Sequence, residues 1–135
     1  MIGLDTNVLV RYLVQDEAAQ SRAATRLIEG SCTPEDPGFI NQIVLCELCW
    51  VLERGYRYSR EQVAGVVRGL LSATDLRVED ADAAWQALGQ YESGKAGFTD
   101  SLIGLRNERQ KATPTYTFDR EAASQSAFAL LEGFT

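Results

Sequence analysis

The strongest constraint on this 135-residue chain is an alternation of two apolar patterns. Short apolar runs suit buried strands, and segments with apolar residues three and four apart suit helices. Residues 1–4, 38–41, 75–78 and 114–118 read as strands, with a short final strand expected over 128–131. Helices are expected over 6–13, from Asp16 and Glu17 to about Glu29, over 42–54, from a Ser59 cap to about Leu71, over 80–91 and over 98–109. Gly30 and Gly55 are expected to close the second and third of these, as glycine often does. Residues 31–38, SCTPEDPG, read as a loop by composition, and Asp119 is expected to open a last helix. Strands that alternate with helices pair in parallel, so the pattern predicts an α/β layer fold. With right-handed crossovers, helices would cover both faces of the sheet.

This length suits one domain, and 45% hydrophobic residues are enough for its core. No apolar stretch is long enough to cross a membrane, and the N-terminus lacks the pattern of a signal peptide, so a cytoplasmic protein is expected. Cys32, Cys46 and Cys49 are an odd set, which argues against a disulfide framework. Cys46 and Cys49 have the spacing of a metal or redox pair. They lie in an apolar helical pattern and there is no histidine to complete a zinc site, so they read as small core residues. The absence of histidine also removes the Ser-His-Asp and Cys-His arrangements. Any catalysis must run on carboxylates, a metal, or both. The net charge of −6 speaks against tight non-specific nucleic-acid binding, yet allows an enzyme that touches nucleic acid briefly.

Four acids stand out. Asp5, in IGLDTNVLVRYL, and Asp119, in PTYTFDRE, each follow an expected strand. Ligands of open parallel sheets bind beyond the carboxyl ends of strands, although either aspartate could serve only as a helix cap. Glu47 falls at four-residue spacing between Ile43 and Val51, on or beside an apolar face, where an unpaired carboxylate costs several kcal/mol to desolvate. Asp100, in GFTDSLIGL, lies in the first turn of its helix with Thr99 as a cap candidate, and Ile103, Gly104 and Asn107 follow on its face. Clustered carboxylates repel and raise one another's pKa, and a hard divalent cation such as Mg²⁺ or Mn²⁺ removes that cost.

With these residues the chain resembles a PIN domain of the VapC type of toxin ribonuclease. The resemblance runs through IGLDTNVLVRYL, NQIVLCELCWVLERGY, FTDSLIGLRN and TYTFDREA, and so covers essentially the whole length. It implies a single PIN domain over residues 1–135, a Rossmann-like α/β/α sandwich with a mostly parallel central sheet of four or five strands. It implies a Mg²⁺- or Mn²⁺-dependent endoribonuclease whose catalytic and metal-holding acids are Asp5, Glu47, Asp100 and Asp119. Asn7 and Thr117 match polar positions around that site. Many relatives carry a further acid where this chain has Gly97, so the acids that remain supply one metal well and a second only with help from substrate phosphate.

The expected chemistry is metal-assisted hydrolysis of an RNA phosphodiester, leaving a 3′-hydroxyl and a 5′-phosphate. Candidate RNA contacts are Arg11, then Arg54, Arg57 and Arg60, and then Arg106, Arg109 and Lys111. Tyr12, Trp50, Tyr56 and Tyr58 could stack bases or line a partner groove, although Trp50 at its spacing is more often core. The resemblance further implies a homodimer and a VapB-like antitoxin, with operator DNA reached only through that antitoxin. Two other readings share the fold: an RNA-processing PIN nuclease without an antitoxin, and a non-catalytic PIN-fold binding module. A haloacid-dehalogenase-type phosphatase would need an aspartate where Asn7 stands. A response-regulator receiver would need an acidic pair where Asp5 stands alone.

Overall fold

The computed structural model describes residues 1–132. The chain divides into two compact units, the first Met1–Ala81 and the second starting at Asp82. In the first, β1 (Ile2–Gly3) leads to α1 (Thr6–Val14) and α2 (Ala18–Ser31), β2 (Gly38–Ile40) to α3 (Gln42–Gly55) and α4 (Arg60–Ser72), and β3 (Leu76–Val78) completes the set. The strands form one ladder in the order β1-β2-β3, with both pairings parallel. In the second unit α5 (Ala81–Ser93), whose first residue lies at the boundary, and α6 (Phe98–Arg109) precede β4 (Thr115–Thr117). A 3-10 turn (Ala122–Ser124) then leads to β5 (Phe128–Leu130), which pairs in parallel with β4. The α/β class expected from the alternation is present, and all five expected strands occur.

The first core is built from Leu9, Ile28, Ile40, Leu45, Leu48, Leu52, Val63 and Val67, all essentially inaccessible to water. Each such side chain contributes about 1.5–3 kcal/mol through burial. Gly38 allows that core to close over β2. A Cβ there would lie 2.8 Å from a Leu4 methyl and 2.9 Å from the Cys32 sulfur. In the second unit Tyr91 and Phe98 are fully buried and meet edge to face at 6.2 Å. Ala122, Ala127 and Phe128 form a small buried cluster in the same unit.

Local chemistry sets the helix boundaries. Ser59 caps α4 through a capping box closed by Gln62. Asn41, expected to end a strand, instead caps α3 by accepting from the Val44 amide at 2.8 Å. Glu17, not Asp16, caps α2, and that helix continues through Gly30 because its cap lies at Cys32. Thr99 does not cap α6. The cap position is Gly97, with no side-chain bond, which puts Thr99 inside the helix. Asp119 opens only the 3-10 turn rather than a full helix, its Oδ1 accepting from the Glu121 and Ala122 amides at 2.8 and 3.3 Å.

Candidate active site

Asp5 stands where β1 hands over to α1. Its extended backbone makes it the helix cap, and its Oδ1 accepts from the Thr6 amide at 2.8 Å. Oδ2 accepts no hydrogen bond among the described residues. The Thr6 hydroxyl donates to Glu47 Oε1 at 2.7 Å. A single residue thus holds both carboxylates, one with its backbone and one with its side chain, and α3 is brought to the start of α1. Asp5, Thr6, Asn7 and Glu47 line one open cleft of about 420 Å³, together with Val10, Arg11, Val51 and Tyr56.

Glu47 is exposed, so of the two placements its spacing allowed, on the apolar face or beside it, the structure has the second. The buried face of α3 is Val44, Leu45, Leu48, Cys49 and Leu52. Ile43 is 74% exposed and Trp50 61%, so Trp50 is not core and the stripe through Glu47 faces outward. A helix this apolar has more hydrophobic residues than one buried face can take. The desolvation argument for Glu47 therefore falls, and its place beside Asp5 is what marks it.

In the second unit Asp100 lies in the first turn of α6 and is partly buried. Burial first, and then the charge of Asp119, push its carboxyl above the usual carboxylate range. Asp119 is exposed beyond β4, and its amide donates to Thr117 Oγ1 at 3.0 Å, so Thr117 fixes the backbone that presents the acid. Gly104 belongs to packing: a Cβ there would meet Phe128 Cε2 at 2.6 Å. Asn107, on the same helix, donates to Thr115 Oγ1 at 2.9 Å and braces β4.

Sequence reasoning passed over two participants. Thr6 was hidden between Asp5 and Asn7, although a hydroxyl in the first helical turn after an acid was a readable signal. Asp16, read as a helix opener, instead forms an ion pair with Arg11 at 3.0 Å and accepts from the Tyr56 hydroxyl at 2.8 Å. Cys32 and Cys49 are buried and Cys46 half-buried, and none of the three is in a disulfide among the described residues. Burial pushes the Cys49 thiol far up, so it is inert as a nucleophile at neutral pH.

Among the described residues no three carboxylates, thiolates or imidazoles gather into a ready-made ion cage. The donor chemistry still fits a hard cation. Mg²⁺ typically takes one or two carboxylates and completes its shell with water and substrate phosphate. Asp5 and Glu47, facing one cleft with an oxygen each left over, are donors of that type.

A family model for the PIN domain matches residues 2–126. The chain is also similar to a VapC ribonuclease from Aquifex aeolicus (strain VF5), 26% identical over 117 residues, which cover 87% of this chain and 86% of that protein. With the match spanning nearly the whole chain, the protein belongs to the PIN domain family.

Proposed function

We propose that this chain is the toxin of a VapBC-type pair, an endoribonuclease dependent on Mg²⁺ or Mn²⁺. The observation that carries this reading is the joint hold of Thr6 on Asp5 and Glu47 within one cleft, in a chain similar to a VapC ribonuclease. Asp5 and Glu47 in the first unit, and Asp100 and Asp119 in the second, would be the catalytic and metal-holding acids, and residues 1–135 would make up one PIN domain. When bound, the ion would stabilise charge on the phosphoryl oxygens and make water a nucleophile at neutral pH.

The chain's own residues do the positioning. The Thr6 amide and hydroxyl aim the two carboxylates, leaving Asp5 Oδ2 and Glu47 Oε2 for ligation. Thr117 steadies Asp119, and Asn7 lines the cleft as a polar contact for water or phosphate. With no histidine to drive 2′-hydroxyl chemistry, water is the attacking group, and the products carry a 3′-hydroxyl and a 5′-phosphate. Its expected partners are RNA, a VapB-like antitoxin and a second copy of this chain, all in the cytoplasm. Operator DNA is reached through the antitoxin. No described helix is long and apolar enough to cross a membrane.

The test is incubation of the purified chain with a panel of structured RNAs and Mg²⁺ or Mn²⁺. Discrete cuts are expected, lost in excess EDTA and reduced at least about a hundredfold by Asp5→Asn. Full activity in excess EDTA would overturn the metal-dependent reading. Metal binding with cleavage only of precursor RNAs, and no antitoxin encoded nearby, would favour an RNA-processing nuclease. Neither metal binding nor cleavage by the folded chain would favour a binding module.

A further inference from the structure

Arg11 is the cation that shares the cleft with Asp5 and Glu47. It also lines a second, adjoining cleft of about 360 Å³, with Asp5, Asn7, Val8 and Gln20 among its walls. Its guanidinium is held on one side only. Nε donates to Gln20 Oε1 at 2.7 Å, and Nη1 donates to Asp16 Oδ1 at 3.0 Å and to the Tyr56 hydroxyl at 3.2 Å. The Tyr56 hydroxyl in turn donates to Asp16 Oδ2 at 2.8 Å, which closes a three-residue ring. Nη2, with two N–H groups, has no hydrogen bond among the described residues.

This geometry has two consequences. An arginine side chain normally gives up considerable rotamer freedom when it grips a ligand, and here the ring has already immobilised it. The chain also carries a net charge of −6, and the carboxylates of this cleft repel a polyanion. The Arg11 guanidinium stands beside them with its charge shared with Asp16, and the planar donors it has left match phosphate oxygens.

We propose that Arg11, through Nη2, grips a phosphate of the RNA backbone next to the scissile one, with Asp16 and Tyr56 as the positioning residues that hold it. This deepens the nuclease reading and rests on it. The competing account is a brace, in which the ring only ties α1 to the chain beyond α3 and has no dealings with substrate.

The experiment measures cleavage of whichever RNA the wild-type chain cuts, across a series of salt concentrations, with thermal melts alongside. Arg11→Gln is expected to raise KM about tenfold with kcat little changed. It should flatten the slope of log(kcat/KM) against log salt by about 0.7, as expected for one lost phosphate contact on a single strand. Tyr56→Phe keeps the charge, so it should raise KM about threefold and leave that slope unchanged. Arg11→Lys should keep the slope but not recover the KM, because the fork is lost.

A lower Tm for Arg11→Gln with KM and slope unchanged would establish the brace and overturn the proposal. If Arg11→Gln does not fold, unchanged KM values in both Arg11→Lys and Tyr56→Phe overturn it equally. Failure of the wild-type chain to cut any RNA overturns the nuclease reading and this inference together. Cleavage with an Arg11-independent KM overturns this inference alone.

Discussion

Thr6 holds two acids with two different groups, which makes it the most economical residue to perturb. Thr6→Val keeps the shape and the backbone bond to Asp5 but frees Glu47. The bond fixes the orientation of the Glu47 carboxylate, so kcat is expected to fall about tenfold. Stability should change by less than about 0.5 kcal/mol, because the bond is exposed. Thr6→Ser should recover most of the rate. Kinetics and melts of the three proteins check this, and an unchanged kcat would remove Glu47's orientation from the mechanism. Asp100 offers a test by pH. Its folded carboxyl titrates above the usual range because of burial and then Asp119, so the unfolded chain gives up this proton more readily. Its ionised form therefore costs stability at neutral pH, and the cost is relieved as pH falls through the raised folded value. In metal-free buffer Asp100→Asn should raise Tm at neutral pH, by about 1–2 °C given the group's partial exposure. The gain should vanish on acidification below the usual carboxylate range. A gain of equal size at both pH values would rule out this cause.

At the scale of elements, α6 and β5 depend on a close approach. A methyl at position 104 would sit 2.6 Å from Phe128 Cε2 and 3.3 Å from Ala127 Cβ. Gly104→Ala gains about 1 kcal/mol of helix propensity but overpacks this contact, so a net loss of about 1–2 kcal/mol is expected from denaturant midpoints. Phe128→Leu in the same chain should recover part of it, and full additivity of the two changes would argue against the clash. The elements also mark how far sequence reading reaches. The strands over 38–41 and 128–131 were readable as short apolar runs, whereas β4, Thr115–Thr117, is polar at both ends and was readable from its β-branched and aromatic residues. The Ser59 cap was readable because capping is chemistry between neighbours in the chain. The exposed Ile43 and Trp50 were not, since α3 is apolar on almost every side and only its neighbours decide which sides they cover. The turn after Asp119 was over-read for a related reason: its capping bonds are real, but they support only three residues of 3-10 helix.

For the molecule as a whole, the alternation of patterns determined the α/β class and the parallel pairing. The absence of histidine removed the Ser-His-Asp and Cys-His arrangements. Two strand-end acids, one mid-helix acid and one helix-start acid marked Asp5, Asp119, Glu47 and Asp100 as candidates before any fold was known. These are properties of local pattern and composition, which a sequence carries directly. Only the tertiary structure decided that one threonine holds Asp5 and Glu47, that Glu47 faces outward, and that Arg11 is locked by Asp16 and Tyr56 beside them. Those contacts join residues as far as 41 and 45 positions apart in the chain. Their formation depends on how helices pack once the cores close, and no local spacing encodes which distant polar group meets which.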